Sequence, residues 1–233
     1  MQKEHIINPF STALKSIRQS PVQYIRFNIL FFAIIFLINY LAAILSMKIT
    51  YDRYLQEIIL VVIKIPVTAY FIGGFLYFYI SIVRGVTGRA AQIYRGYRWY
   101  PAILAYELIV YFSYILMVRP SSDFLDYPFP VQFRILLVAL AFVYFFVRAS
   151  LFLAILVDTR VPFWKAMAES FALTAGNFLE TGLFIALGFT IILSGLLAAG
   201  IGIIFTMAVA ALGYVLGYDM MRKKKAPGNQ PVP

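Results

Sequence analysis

Between Glu180 and Asp219 the chain carries no charged residue, and the stretch 178–218 runs for 41 residues as an almost unbroken apolar segment. A single helix of that length would extend about 60 Å, twice the hydrocarbon thickness of a bilayer. The stretch must fold back on itself. The expected break is at Ala199, Gly200, Ile201 and Gly202, where two glycines loosen the helix. This gives two spans, 178–198 and 202–218.

Four further apolar runs approach or exceed the ~20 residues a spanning helix needs: 25–47, 59–83, 100–118 and 133–157. The reading is an all-α, polytopic membrane bundle of six transmembrane helices arranged as three hairpins. Residues 1–218 form one transmembrane domain, and 219–233 a basic cytoplasmic tail. Composition agrees: 62% of the chain is apolar and 13% charged, against roughly half and a quarter in soluble domains. The first run begins near Ile25 and is too long for a signal-peptide core, so it is read as a retained span.

The basic residues choose an orientation. Lys3, Lys15, Arg18, Arg26, Arg84, Arg89, Arg95, Arg98, Arg160, Lys165, Arg222, Lys223, Lys224 and Lys225 fall on one side; Lys48, Arg53, Arg119 and Arg134 fall on the other. The positive-inside rule places the first group, and with it both termini, in the cytoplasm. Arg89, Arg95, Arg98, Arg160, Lys165 and the 222–225 run are candidates for lipid-headgroup contact. The net charge of +10 is read in this way, and nucleic acid is not an expected partner. With no Cys and only His5, disulfides, thiolate catalysis, bis-His haem and His-based metal sites are excluded. No metal or cofactor is expected.

Each odd-numbered span follows a mixed segment: Pro9–Gln23, Val86–Tyr100 and Pro162–Gly176, whose starts lie 77 and 76 residues apart. Ala13, Ala90 and Ala166 fall in register, and the first and third segments share Pro-Phe. In the third, Phe163, Met167, Phe171 and Thr174 recur at helical spacing with Lys165 and Glu169 on another side. Pro162 suits a first helical turn. The expected unit is an amphipathic helix in the cytoplasmic interface followed by a transmembrane hairpin.

Within residues 148–178, Ala166, Ser170, Leu173, Gly176 and Phe178 follow an acidic turn at the end of the fourth span. This pattern resembles the membrane domain fused to some glycerophosphodiester phosphodiesterases, and the stand-alone six-span bacterial relatives of that domain. The resemblance implies a six-span fold in the bacterial inner (plasma) membrane and no chemistry, because the soluble phosphodiesterase domain is absent from this sequence.

Charges at bilayer depth mark polar sites, and Lys64, Glu107, Arg148 and Glu180 are the candidates. Glu107 and Arg148 lie about 10 and 13 Å from the inner ends of consecutive spans and are expected to pair. Pro66 is expected to kink the second span. Gly195, Ala199, Gly213 and Gly217 suit close helix packing, within the chain or at a dimer surface. Asp123 and Asp126 in the 119–130 connection could hold a cation weakly, but its three prolines and short reach suggest an ordinary rigid connector.

There is no phosphate loop, no His-Glu-x-x-His and no Gly-x-Ser-x-Gly with a His partner. The leading reading is a non-enzymatic membrane protein. It would be an accessory or scaffold subunit in envelope or lipid homeostasis, in contact with membrane lipids and partner subunits. Two other readings stay open: a transporter, or transporter subunit, with a midplane polar site; and a lipid-modifying enzyme.

Overall fold

The computed structural model describes residues 2–50, 53–121, 129–197 and 202–225. Asp123, Asp126 and Ala199 lie outside them. All regular structure among the described residues is helical: α1 (Gln2–Gln19), α2 (Pro21–Ile49), α3 (Arg53–Val83), a 3-10 helix (Ala90–Arg98), α4 (Tyr100–Ser121), α5 (Phe129–Ala149), α6 (Phe152–Thr159), α7 (Phe163–Thr174), α8 (Phe178–Leu197) and α9 (Gly202–Lys225). Five stretches are long and apolar enough to cross a membrane: α2, Val61–Val83 of α3, Leu136–Thr159 across α5 and α6, α8 and α9. Tyr100–Ser113 in α4 is a shorter apolar helix.

Local chemistry sets the boundaries. Pro21 lacks an N–H, so it ends α1 and opens α2 at a first-turn position. At the end of α3, Val86 N–H donates to Ser81 O and Gly85 N–H to Ile82 O, both at 2.9 Å. Gly85 has φ +74. This is a Schellman closure, and it requires the left-handed residue that glycine supplies. α3 runs through Pro66 without a break. α5 and α6 would be one helix but for Ser150 and Leu151. The carbonyl of Arg148 there accepts from Ser170 Oγ at 2.7 Å, and that of Ser150 accepts from the Tyr214 hydroxyl. Side chains thus replace bonds that the broken ladder gives up.

The three predicted short segments are all helical, but they do not lie beyond the ends of the long helices. Each packs along a long helix that precedes it, if the chain is taken cyclically: α1 on α9, the 3-10 helix on α3, and α7 on α5 and α6. The 3-10 helix reaches well up α3. A Cβ on Gly74 would lie 1.9 Å from Ile93 O, and one on Gly96 1.7 Å from Tyr70 O. Gly74 is nine residues from the end of α3, about 13 Å along the axis. The aligned alanines differ as well. Ala13 and Ala166 are fully buried, whereas Ala90 is exposed; Ile93 and Gly96 do the packing in the second segment.

Long helices that follow one another in sequence pack together: α2 on α3, α4 on α5, α8 on α9. Between α2 and α3 the core is aromatic, with Phe27 stacked on Phe78 at 3.7 Å and Phe31 against Phe75. Buried Asn28 accepts from the Tyr79 hydroxyl at 2.9 Å and donates to Ile204 O at 2.8 Å, which ties α2, α3 and α9 together. Gly195, Gly213 and Gly217 of the last two helices are packed within the chain. Gly195 faces Thr206 and Gly202. Gly213 seats the Phe10 ring and Gly217 the Phe184 ring, and those rings lie 4.9 Å apart.

Candidate functional site

The last helices of the three predicted hairpins (α3, α6 and α9) end together, and a charged cluster forms where they meet. The Schellman turn holds Arg84 at the end of α3. Its Nε and Nη2 donate to the Asp158 carboxylate at 3.2 and 2.7 Å, and its Nη1 donates to Asp219 at 2.7 Å. Asp158 also accepts from Arg222 Nη1 at 2.7 Å and from the Tyr218 hydroxyl at 3.0 Å. Lys223 lies 2.9 Å from Asp219, one helical turn on. Asp158 and Asp219 retain only 9% and 12% side-chain exposure. The hydrogen-bonded Asp158 carboxylate holds the Arg84 guanidinium above its ordinary range, against the opposing effect of burial, and Asp219 adds to the rise. The planar fork of Arg84 lets one side chain bridge two carboxylates from two helices.

Of the predicted intramembrane charges, Lys64 acts electrostatically on Glu107, and Arg148 stands apart from both. Glu107 and Arg148 form no ion pair. Glu107 faces α3 and accepts from Thr68 Oγ1 at 3.0 Å. Arg148 faces α7, its guanidinium 5.4 Å from the Phe171 ring and 5.7 Å from Tyr144, with Nε buried and unpartnered. Similar depth is not sufficient for pairing when the two side chains project from different faces. Lys64 is exposed on α3, a turn before Thr68. Glu180 lies 3.9 Å from Lys224.

The headgroup candidates divide into three sets. Arg222, Lys223 and Lys224 turn inward to carboxylates, and Lys225 bonds the Ala172 carbonyl. Arg95 donates to the Tyr77 hydroxyl at 3.2 Å, and Arg98 to Tyr97 at 3.4 Å. Arg89, Arg160 and Lys165 are exposed.

The sequence shows Arg84 as a charge on the inner side and gives no partner for it. The signal was available: only ten acidic residues occur in the chain, and two of them sit at the ends of apolar helices amid a basic rim. No group of three or more metal-ligating side chains occurs among the described residues. The chain matches no family model, no curated protein and no solved structure.

Proposed function

We propose that the chain is a non-enzymatic integral protein of the bacterial inner membrane, with six spans in three hairpins and both termini cytoplasmic. It acts as an accessory or scaffold subunit in envelope or lipid homeostasis. The observation that carries this reading is the engagement of the Asp158 carboxylate by its neighbours. It accepts four hydrogen bonds, three on Oδ2 and one on Oδ1, from Arg84, Arg222 and Tyr218. A carboxylate so occupied is a tie between helices, not a free acid, base or nucleophile. α4 supplies the sixth span in this reading, with Glu107 held between α3 and α4 by Thr68.

The test is purification in mild detergent followed by mass spectrometry of the intact assembly. A stoichiometric partner protein supports the subunit role. A lone protein whose only companion is a solute lost on Glu107→Gln substitution contradicts it and supports a transporter.

A further inference from the structure

One corner recurs three times in this chain, where a short segment passes into a long helix beside the end of the helix that closes the same unit. In the first unit the corner is shut: Gln23 Nε2 donates to Gly88 O at 2.8 Å. In the third, a cleft of about 600 Å3 is occupied at its rim by the protein's own charges, Lys223 on Asp219, Lys224 on Glu180 and Lys225 on the Ala172 carbonyl. In the second, a cleft of about 370 Å3 opens between Arg98, Trp99 and Pro101 on one side and Leu156, Arg160 and Phe163 on the other. It has two arginines and no carboxylate among its lining residues. Arg98 bonds the hydroxyl and faces the ring of its neighbour Tyr97. The Arg160 guanidinium has no hydrogen bond or ion pair among the described residues.

Arg160 is also the one non-glycine residue with positive φ among the described residues, at φ 57 and ψ 30. Glycine adopts that conformation freely and arginine does not. The left-handed turn after α6 is therefore occupied by a residue that the backbone disfavours, and it places that residue on the cleft. Two guanidiniums without a carboxylate partner suit a phosphate. Trp99 beside them is an amphipathic side chain suited to the headgroup level, and Phe163 adds an apolar wall.

We propose that this cleft binds the phosphodiester headgroup of an anionic phospholipid, with the phosphate on Arg98 and Arg160 and the glycerol end against Trp99, Leu156 and Phe163. The inference rests on the membrane-spanning part of the reading above and not on the scaffold role.

The test uses the full chain in mild detergent, titrated with phosphatidylglycerol, phosphatidylcholine and free glycerol phosphate, with bound lipid counted by native mass spectrometry and unfolding followed without lipid. Phosphatidylglycerol is expected to bind at least tenfold tighter than phosphatidylcholine. Arg98→Gln and Arg160→Gly are each expected to reduce that preference about tenfold, while Lys15→Gln, at an exposed cation that does not line the cleft, leaves it intact. Arg160→Gly should keep or raise the lipid-free unfolding midpoint, because glycine relieves the left-handed strain; this separates loss of binding from loss of fold. Equal binding of the two lipids, or a preference that survives both substitutions, overturns the proposal. Free glycerol phosphate competing at the concentration of the lipid also overturns it, since the site would then serve a soluble anion. None of these failures touches the scaffold reading, which is decided by the partner protein alone.

Discussion

Asp158 receives donors from three side chains on two other helices, so its charge is worth more than that of any other acid at this end of the molecule. Asp158→Asn leaves Arg84 with Asp219 alone and Arg222 without a carboxylate. Arg84 and Arg222 are 38% and 48% exposed, so solvent moderates the loss to about 2 kcal/mol, below the 3–5 of a fully buried pair. Thermal unfolding in detergent should show a midpoint lowered by roughly 4–8 °C. Lys223→Ala removes only an exposed turn-to-turn pair and should change stability by less than about 0.5 kcal/mol. At Glu107 and Arg148 the structure makes the opposite prediction from the pairing argument. Glu107→Gln retains an acceptor for Thr68, and a double-substitution cycle with Arg148→Gln should give a coupling energy near zero, within about 0.3–0.5 kcal/mol. A coupling above 1 kcal/mol would restore the pair. The residue types at the site were visible in the sequence, but their partners were not. Helix rotation decides whether Glu107 meets Thr68 or Arg148, and with an apolar surface all round the helix no amphipathic stripe fixes that rotation.

At the level of the elements, close backbone approach holds the short segments to the long helices. Gly74→Ala would set a methyl 1.9 Å from the Ile93 carbonyl, backbone against backbone, so the 3-10 helix must shift. A loss of about 3 kcal/mol is expected, as for a severely overpacked site. Gly182→Ala is the contrasting case. Its nearest neighbour would be Val147 at 3.9 Å, ordinary contact, and alanine in mid-helix should stabilise by about 0.5–1 kcal/mol. Comparable losses from both substitutions would contradict the packing described. Element positions were largely readable: the fold-back near Gly202, the three short segments and the apolar runs follow from hydropathy, proline and glycine. What the sequence hid was that the 3-10 helix runs back along α3. That depends on Gly73, Gly74 and Gly96 meeting across a fold, and a glycine's partner cannot be inferred from the glycine. The interruption at Ser150 and Leu151 was equally hidden, because its carbonyls are satisfied by Ser170 and Tyr214 from distant helices.

For the molecule as a whole, the proposed arrangement is three hairpins converging on one charged end, with α4 as the sixth crossing. α4 is the element on which this depends, since its described apolar portion, Tyr100–Ser113, is shorter than the other spans. The chain has no cysteine, so each introduced one reports alone. The deciding measurement is labelling of intact cells by a membrane-impermeant maleimide at single cysteines replacing Asp126, between α4 and α5, and Arg89 and Lys165 at the basic end. The account predicts that Asp126→Cys labels from outside, while Arg89→Cys and Lys165→Cys label only after permeabilisation. An Asp126→Cys that stays unlabelled until the membrane is opened, together with an accessible Lys165→Cys, would mean that α4 does not cross and that the six-span, threefold arrangement is wrong.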